Sequence, residues 1–275
     1  MRIGVDIGGT SIKAGILWAG EVKSFCKLPT GKTKQAFLDS LIELIRAHLG
    51  GHVIGIGIGC PGPANYPLGI IRKTPNLPIQ DFNLKHYLKR FFKTDIVIEN
   101  DAACFTLAEA KFGAGKGKHL VLGLTLGTGV GGGIVHDGKL LRGQGNAGHF
   151  SRLILSTERA KPSASFEMLC NERALISDTS FKTAEELFAA AKKGNKPALK
   201  TFSEYGHVLG LGIGSLISAF DPDVFVVGGG LSNFWKFFES EMHKAIKEVT
   251  PFKAQVVRSR LQNAGIIGAA SLIRG

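Results

Sequence analysis

Two periodicities alternate along the chain, and both halves begin in the same way. Residues 2–7 (RIGVDI) and 12–18 (IKAGILW) are apolar, β-rich runs flanking Gly8-Gly9-Thr10-Ser11, the pattern of two strands joined by a tight turn. Residues 35–49 carry apolar side chains at helical spacing and stop at Gly50-Gly51, a helix C-terminal signal. A continuous apolar run at 53–59 predicts a buried strand, which leads into a long loop reaching Pro78. A helix is expected over 84–92, a strand over 95–100, and a second helix over 102–112, closed by Gly113.

The pattern then restarts. Residues 120–141 repeat the strand, glycine turn and strand. After a weakly patterned segment, 150–166, helices are expected at about 167–176, 183–193 and 206–219. The run VFVVGGG (224–230) predicts a strand, followed by a helix near 234–248 and a small-residue helix at the end. Two α/β domains with a cleft between them fit this repetition better than one open sheet. The Gly/Lys stretch at 113–118 suits a hinge, so the expected domains are 1–117 and 118–262, with the last helix, about 263–275, a candidate to pack back onto the first.

Composition narrows the class. The 275 residues are 44% hydrophobic and 20% charged, as in ordinary soluble α/β proteins. No run reaches the ~18–20 apolar residues a membrane span needs, and no basic n-region precedes an apolar stretch. A cytoplasmic location is therefore expected. Cys26, Cys60, Cys104 and Cys170 are far apart, which favours free thiols in a reducing compartment. The net charge of +12 is scattered, without a zinc finger or an aromatic-and-basic RNA motif. It reads as a solvated basic surface or as a field that attracts nucleotide anions, not as a nucleic-acid site.

Candidate chemistry sits at three places. Asp6-Ile7-Gly8-Gly9-Thr10 can aim backbone N–H groups into one concavity, with the Thr10 hydroxyl as a further donor and Asp6 able to hold Mg²⁺ through water. Residues 126–133 (LGTGVGGG) repeat the device. One glycine turn is usually only a turn, but two at the heads of two domains can grip one polyphosphate. No P-loop motif follows any strand, and a hairpin rather than a helix after GVGGGI disfavours a dinucleotide fold. At Glu99-Asn100-Asp101 a strand ends and a helix begins, where Asp101 is either a general base for a hydroxyl or only the helix cap.

With these motifs in order, the chain resembles the ROK family of bacterial sugar kinases, within the actin-like/hexokinase ATPase superfamily. The matching segments are DIGGTSIKAG (6–15), CPGPAN (60–65), TPNLP (74–78), ENDA (99–102), LGTGVGGGIVHDGKL (126–140), AGH (147–149) and FDPDVFVVGGG (220–230). The resemblance implies a two-domain actin-like, ribonuclease H-like α/β fold with an inter-domain cleft. It implies that Asp6, Gly8, Gly9, Thr10 and Lys13, together with Gly127, Thr128 and Gly129, hold the phosphates of ATP, with Gly228, Gly229 and Gly230 near the adenosine. Asp101 is implied as the base, and Asn76, Asn100, Asn146, His149 and Glu167 as sugar ligands.

Two departures stand out. Family kinases usually carry cysteines after the histidine that complete a structural zinc site, whereas residues 150–165 hold none, so no zinc is expected. Asn146 stands where the family has a glutamate, which puts the identity of the sugar in question. ATP with Mg²⁺ is the expected donor, glucose the default acceptor and a homodimer the expected assembly. The alternatives are an N-acetylhexosamine acceptor, a polyphosphate donor, or a non-catalytic sugar or nucleotide sensor. A DNA-binding regulator is disfavoured, because the chain starts at the first phosphate strand with no preceding helix-turn-helix.

Overall fold

The computed structural model describes residues 1–72, 74, 76–155 and 165–274. Its first sheet has the order β3-β2-β1-β4-β8, formed by Arg2–Ile7 (β1), Ser11–Trp18 (β2), Glu21–Pro29 (β3), Gly55–Cys60 (β4) and Asp95–Asn100 (β8). β1 pairs with β2 antiparallel and with β4 parallel, and β4 pairs with β8 in parallel. Three short strands, Ala64–Asn65 (β5), Ile70–Ile71 (β6) and Phe82–Asn83 (β7), make a small separate sheet. The second large sheet, in the order β11-β10-β9-β12-β13, repeats the first one's topology with Leu120–Leu126 (β9), Val130–His136 (β10), Lys139–Leu140 (β11), Val224–Gly228 (β12) and Gln255–Arg258 (β13). The repetition expected from the two glycine turns is thus a repetition of whole sheets.

Burial explains which elements are legible in the sequence. The central strands share one apolar face, on which Ile3, Val5, Ile56, Ile58, Ile96 and Ile98 are buried, each contributing about 1.5–3 kcal/mol on leaving water. β3 is not expected from the pattern, and no residue in it is buried, so it lacks the alternation that marks a strand. Helix α1 (Lys34–Arg46) is capped by Thr33, whose side chain accepts from the Ala36 N–H at 3.2 Å. It stops at Ala47, short of the glycine pair. The next two expected helices are Leu84–Lys89 (α2), shorter than its apolar pattern, and Asp101–Phe112 (α3). The helix expected near 167–176 is two helices, Phe166–Cys170 (α4) and Glu172–Ile176 (α5), because extended Asn171 ends one and caps the other through Ala174 N–H at 2.8 Å. After Ala184–Lys192 (α6), the long helix α7 runs over Lys196–Phe220, ten residues earlier than its apolar stretch suggests, since Asn195 caps it and Pro197 suits its first turn. The expected 234–248 helix divides into a 3-10 stretch, Gly230–Phe237, and α8, Glu239–Val249.

The chain divides into two compact units: Met1–Gly117 with Gly133–Gly148 and Arg260–Gly275, and Lys118–Gly132 with His149–Ser259. Residues 133–148 therefore belong with the first unit, whereas the expected division placed them in the second domain. The last helix, Ala264–Ala270 (α9), packs in the first unit on β1, β4 and α3. Its approach is backbone to backbone. A Cβ at Gly57 would lie 1.7 Å from the Ala269 carbonyl oxygen, and one at Gly268 1.7 Å from that of Cys104. Only glycine admits that closeness. Among the described residues no helix is long and apolar enough to cross a membrane.

Candidate active site

In the first unit, three parallel strands end together. Their register aligns Asp6 of β1 with Gly59 of β4, and Gly59 with Glu99 of β8, so Asp6 and Glu99 share one row at the carboxyl edge. Open α/β sheets bind ligands at such an edge. Asp6 also pairs with Lys13 across the hairpin, with Lys13 Nζ 3.8 Å from its carboxylate. Burial raises the Asp6 pKa, and the Lys13 ammonium partly offsets this. The carboxylate lies against α9, where a Cβ at Gly265 would come within 2.7 Å of Asp6 Cγ.

The first glycine turn follows directly. Gly8 N–H donates to the Ser11 carbonyl at 3.0 Å, and the Thr30 hydroxyl donates to the Gly8 carbonyl at 2.6 Å. Thr30, which no motif in the sequence singles out, thus fastens the turn. Gly9 and Thr10 are exposed, and exposed Asn76 stands against Gly9, whose Cβ would meet Asn76 Cβ at 3.1 Å.

At the end of β8 it is Asn100, not Asp101, that caps the helix. Asn100 is the N-cap of α3: its Oδ1 accepts from the N–H groups of Ala102 (3.0 Å) and Ala103 (3.1 Å). Its Nδ2 donates to the buried Tyr66 hydroxyl at 3.1 Å, so at most one amide N–H remains for a ligand. Asp101 is the first residue of the helix, and its Oδ1 accepts the Ala102 N–H at 2.9 Å. Burial, reinforced by the negative charge of Asp6, raises the Asp101 pKa to about 6, against the pull of the Ala102 N–H. A carboxylate poised there is ionised near neutral pH yet more basic than an ordinary aspartate.

Glu99, one residue earlier still, is buried and fully engaged. Its Oε1 accepts from Asn100 N–H at 3.1 Å, and its Oε2 from Arg142 Nε at 2.6 Å. Arg142 opens the segment that carries Asn146, which is exposed.

The second unit holds the remaining residues. In its glycine turn Gly127 N–H donates to the Gly129 carbonyl at 3.0 Å, and the Gly127 carbonyl accepts from Glu172 N–H at 2.8 Å. Thr128 is exposed at the tip. Glu167, expected as a sugar ligand, lies against this turn: its Oε2 accepts from Val130 N–H at 3.2 Å, and a Cβ at Gly129 would meet it at 2.8 Å. His149 is half-buried, with Nε2 buried and, among the described residues, without a hydrogen-bond partner. Burial lowers its pKa, as does nearby Arg152, while Glu167 works in the opposite direction. Gly228 ends β12, and Gly229, at φ +84°, touches the backbone of the turn's strand, where a Cβ would lie 2.3 Å from the Leu126 carbonyl oxygen. Gly230 then starts the 3-10 stretch.

Among the described residues no group of three or more His, Cys, Asp or Glu side chains is placed to hold a metal ion. Residues 156–164, within the segment where a zinc site was not expected, lie outside the described residues. For a Mg²⁺ ion carried by phosphates, one or two carboxylates suffice, and Asp6 with Asp101 beside it fits that demand.

The comparisons with known proteins identify the family and the fold. A family model described as "ROK family" matches residues 2–275. The glucokinase of Streptomyces coelicolor is 32% identical, with 100% of this chain and 98% of that protein covered. The N-acetyl-D-glucosamine kinase of Haemophilus influenzae is 31% identical, with 99% of each covered. A solved structure of a ROK family glucokinase from Streptomyces griseus, in complex with glucose and AMPPNP, is 30% identical with a TM-score of 0.86, covering 99% of both chains.

Proposed function

The chain belongs to the ROK family, and we propose that it is an ATP-dependent hexose kinase whose general base is Asp101. Its fold is the two-domain actin-like fold of the ROK sugar kinases. The observation that carries the reading is the Asp101 carboxyl: at the carboxyl edge of a parallel sheet, not used as a cap, and raised to about 6 by burial and Asp6. Asp101 takes the proton of the sugar hydroxyl as its oxygen bonds to the γ-phosphorus of ATP. The bond from that phosphorus to the β,γ-bridging oxygen breaks, and ADP leaves. Phosphoryl transfer asks for little beyond such a base, positioning and neutralisation of charge.

The other residues divide between those two tasks. Gly9 and Thr10, with Thr128 and Gly129, are assigned as donors to the phosphates, while Gly8 and Gly127, whose N–H groups close their own turns, shape the two turns, and Lys13 adds a positive charge beside Asp6. Glu167 braces the second turn through Val130 N–H. Gly228, Gly229 and Gly230 are assigned to the nucleoside. Asp6 would hold a Mg²⁺ ion carried by the phosphates, which would supply positive charge to neutralise them. Asn76 and Asn146, with the free N–H of Asn100, are assigned to the sugar, and His149, uncharged through its lowered pKa, can accept from a hydroxyl. ATP and hexoses meet in the cytoplasm, which is the location this reading gives.

Glucose is the first acceptor to test, and N-acetylglucosamine the second, since Asn146 replaces the family's glutamate and one relative is named for that substrate. The test is ADP release by purified protein with MgATP and a panel of hexoses and N-acetylhexosamines, the sugar phosphate being identified by ³¹P NMR. A parallel series replaces ATP with inorganic polyphosphate. Acceleration by at least one sugar with ATP supports the reading. ADP release no faster with any sugar than with water overturns it, and transfer from polyphosphate alone overturns the choice of donor.

A further inference from the structure

Arg142 has two attachments that the phosphoryl-transfer chemistry does not use. Its Nε donates to the Oε2 of buried Glu99 at 2.6 Å, two residues before Asp101. Its carbonyl accepts from Gly145 N–H at 2.7 Å and from Ala147 N–H at 3.1 Å, the residues on either side of Asn146. One residue therefore shapes the turn that presents Asn146 and ties it to the strand end that presents the base. The turn needs a tether. Gly143, Gly145 and Gly148 all have positive φ, and glycines lose the most conformational freedom on ordering.

The partner is well chosen for rigidity. Glu99 is buried, and its other oxygen is held by Asn100 N–H at 3.1 Å, so it has little freedom to follow a moving loop. A guanidinium–carboxylate bond is charge-assisted, and a buried carboxylate deprived of its cation is strongly disfavoured. We propose that the Arg142–Glu99 pair is the positioning element for sugar recognition, holding Asn146 in register with Asn100 and Asp101. Arg142 touches neither phosphate nor sugar in this account. Its role rests on the kinase reading given above, and it acts through Asn146.

The test compares Arg142→Gln, Arg142→Lys and Glu99→Gln with the unaltered protein. Steady-state kinetics are measured with the best sugar, alongside hydrogen–deuterium exchange of the apo protein over residues 143–149. Arg142→Gln should raise KM for the sugar roughly three- to ten-fold, the worth of the one neutral hydrogen bond lost at Asn146, while KM for ATP stays within about two-fold. Exchange at Gly145 and Ala147 should accelerate. Glu99→Gln should move both readouts the same way, and Arg142→Lys should restore part of each. A sugar KM within about two-fold of the unaltered protein overturns the proposal, whatever the exchange shows. A raised KM with unchanged exchange overturns it as well, since Arg142 would then contact the sugar directly. If no sugar is phosphorylated at all, the kinase reading fails first, and unchanged exchange would separately remove the tether.

Discussion

Replacing Asp101 by asparagine should make the protein more stable at neutral pH. The folded state holds the Asp101 proton more tightly than the unfolded chain, because burial and the charge of Asp6 raise its pKa from 3.8 to about 6. Below about pH 4 the carboxyl is protonated in both states and costs nothing. Between pH 4 and 6 the unfolded chain ionises while the folded protein still holds its proton, so stability falls as pH rises, and the whole penalty is present above about pH 6. A rise of about two in pKa corresponds to ~3 kcal/mol. Asparagine keeps the shape and can still accept the Ala102 N–H at Oδ1, so it should recover most of that amount. At ~2–4 °C per kcal/mol for a domain of this size, the melting temperature of Asp101→Asn should exceed wild type by ~5–10 °C at pH 7.5. At pH 5 the difference should shrink to about half, near 1.5 kcal/mol. Differential scanning calorimetry at the two pH values reads this directly. A variant less stable than wild type at pH 7.5, or a gain that does not change with pH, would refute the claim that the carboxylate is held under strain.

Other outcomes follow from the same geometry. kcat/KM for the sugar should fall about ten-fold per pH unit below pH 6 and level off above it, as Asp101 loses its proton; a profile flat from pH 5 to 8 would exclude an Asp101 base. Gly57→Ala should destabilise by ~2 kcal/mol or more, since its Cβ would lie 1.7 Å from the Ala269 carbonyl oxygen, while Gly50→Ala, in open space, should stay within ~0.5 kcal/mol in chemical denaturation. Asn100→Ala should cost ~1–3 kcal/mol through the lost cap and the lost donor to the Tyr66 hydroxyl, and Asn100→Ser, which can still cap, should cost less; equal losses would deny the cap its role.

What the sequence could tell depended on how locally each feature is decided. The glycine turns and the strand–helix junction at 99–101 were legible because they rest on neighbours within a few residues. The assignment of cap and base was not, since asparagine and aspartate are equally good caps and only the backbone decides which of two adjacent residues takes the place. Strand β3 escaped because an exposed edge strand has no buried face to impose a period of two. The bracing of Val130 by Glu167 and the Glu99–Arg142 pair join residues 37 and 43 positions apart, a distance no spacing rule reaches. Arg142 carried no signal beyond being a basic residue next to a glycine. The resemblance to the ROK family named Asp101, Asn146 and His149, but the contact between Arg142 and Glu99 became visible only in the fold.

The central claim is that Asp101 accepts the proton of the sugar hydroxyl. Its most direct test is the turnover of Asp101→Asn with saturating MgATP and the best sugar, set beside the nucleotide dissociation constant of the same variant. kcat should drop roughly 10²–10⁴-fold, the usual worth of a general base, while nucleotide affinity stays within about two-fold. A kcat within ten-fold of wild type with nucleotide binding intact would contradict the account.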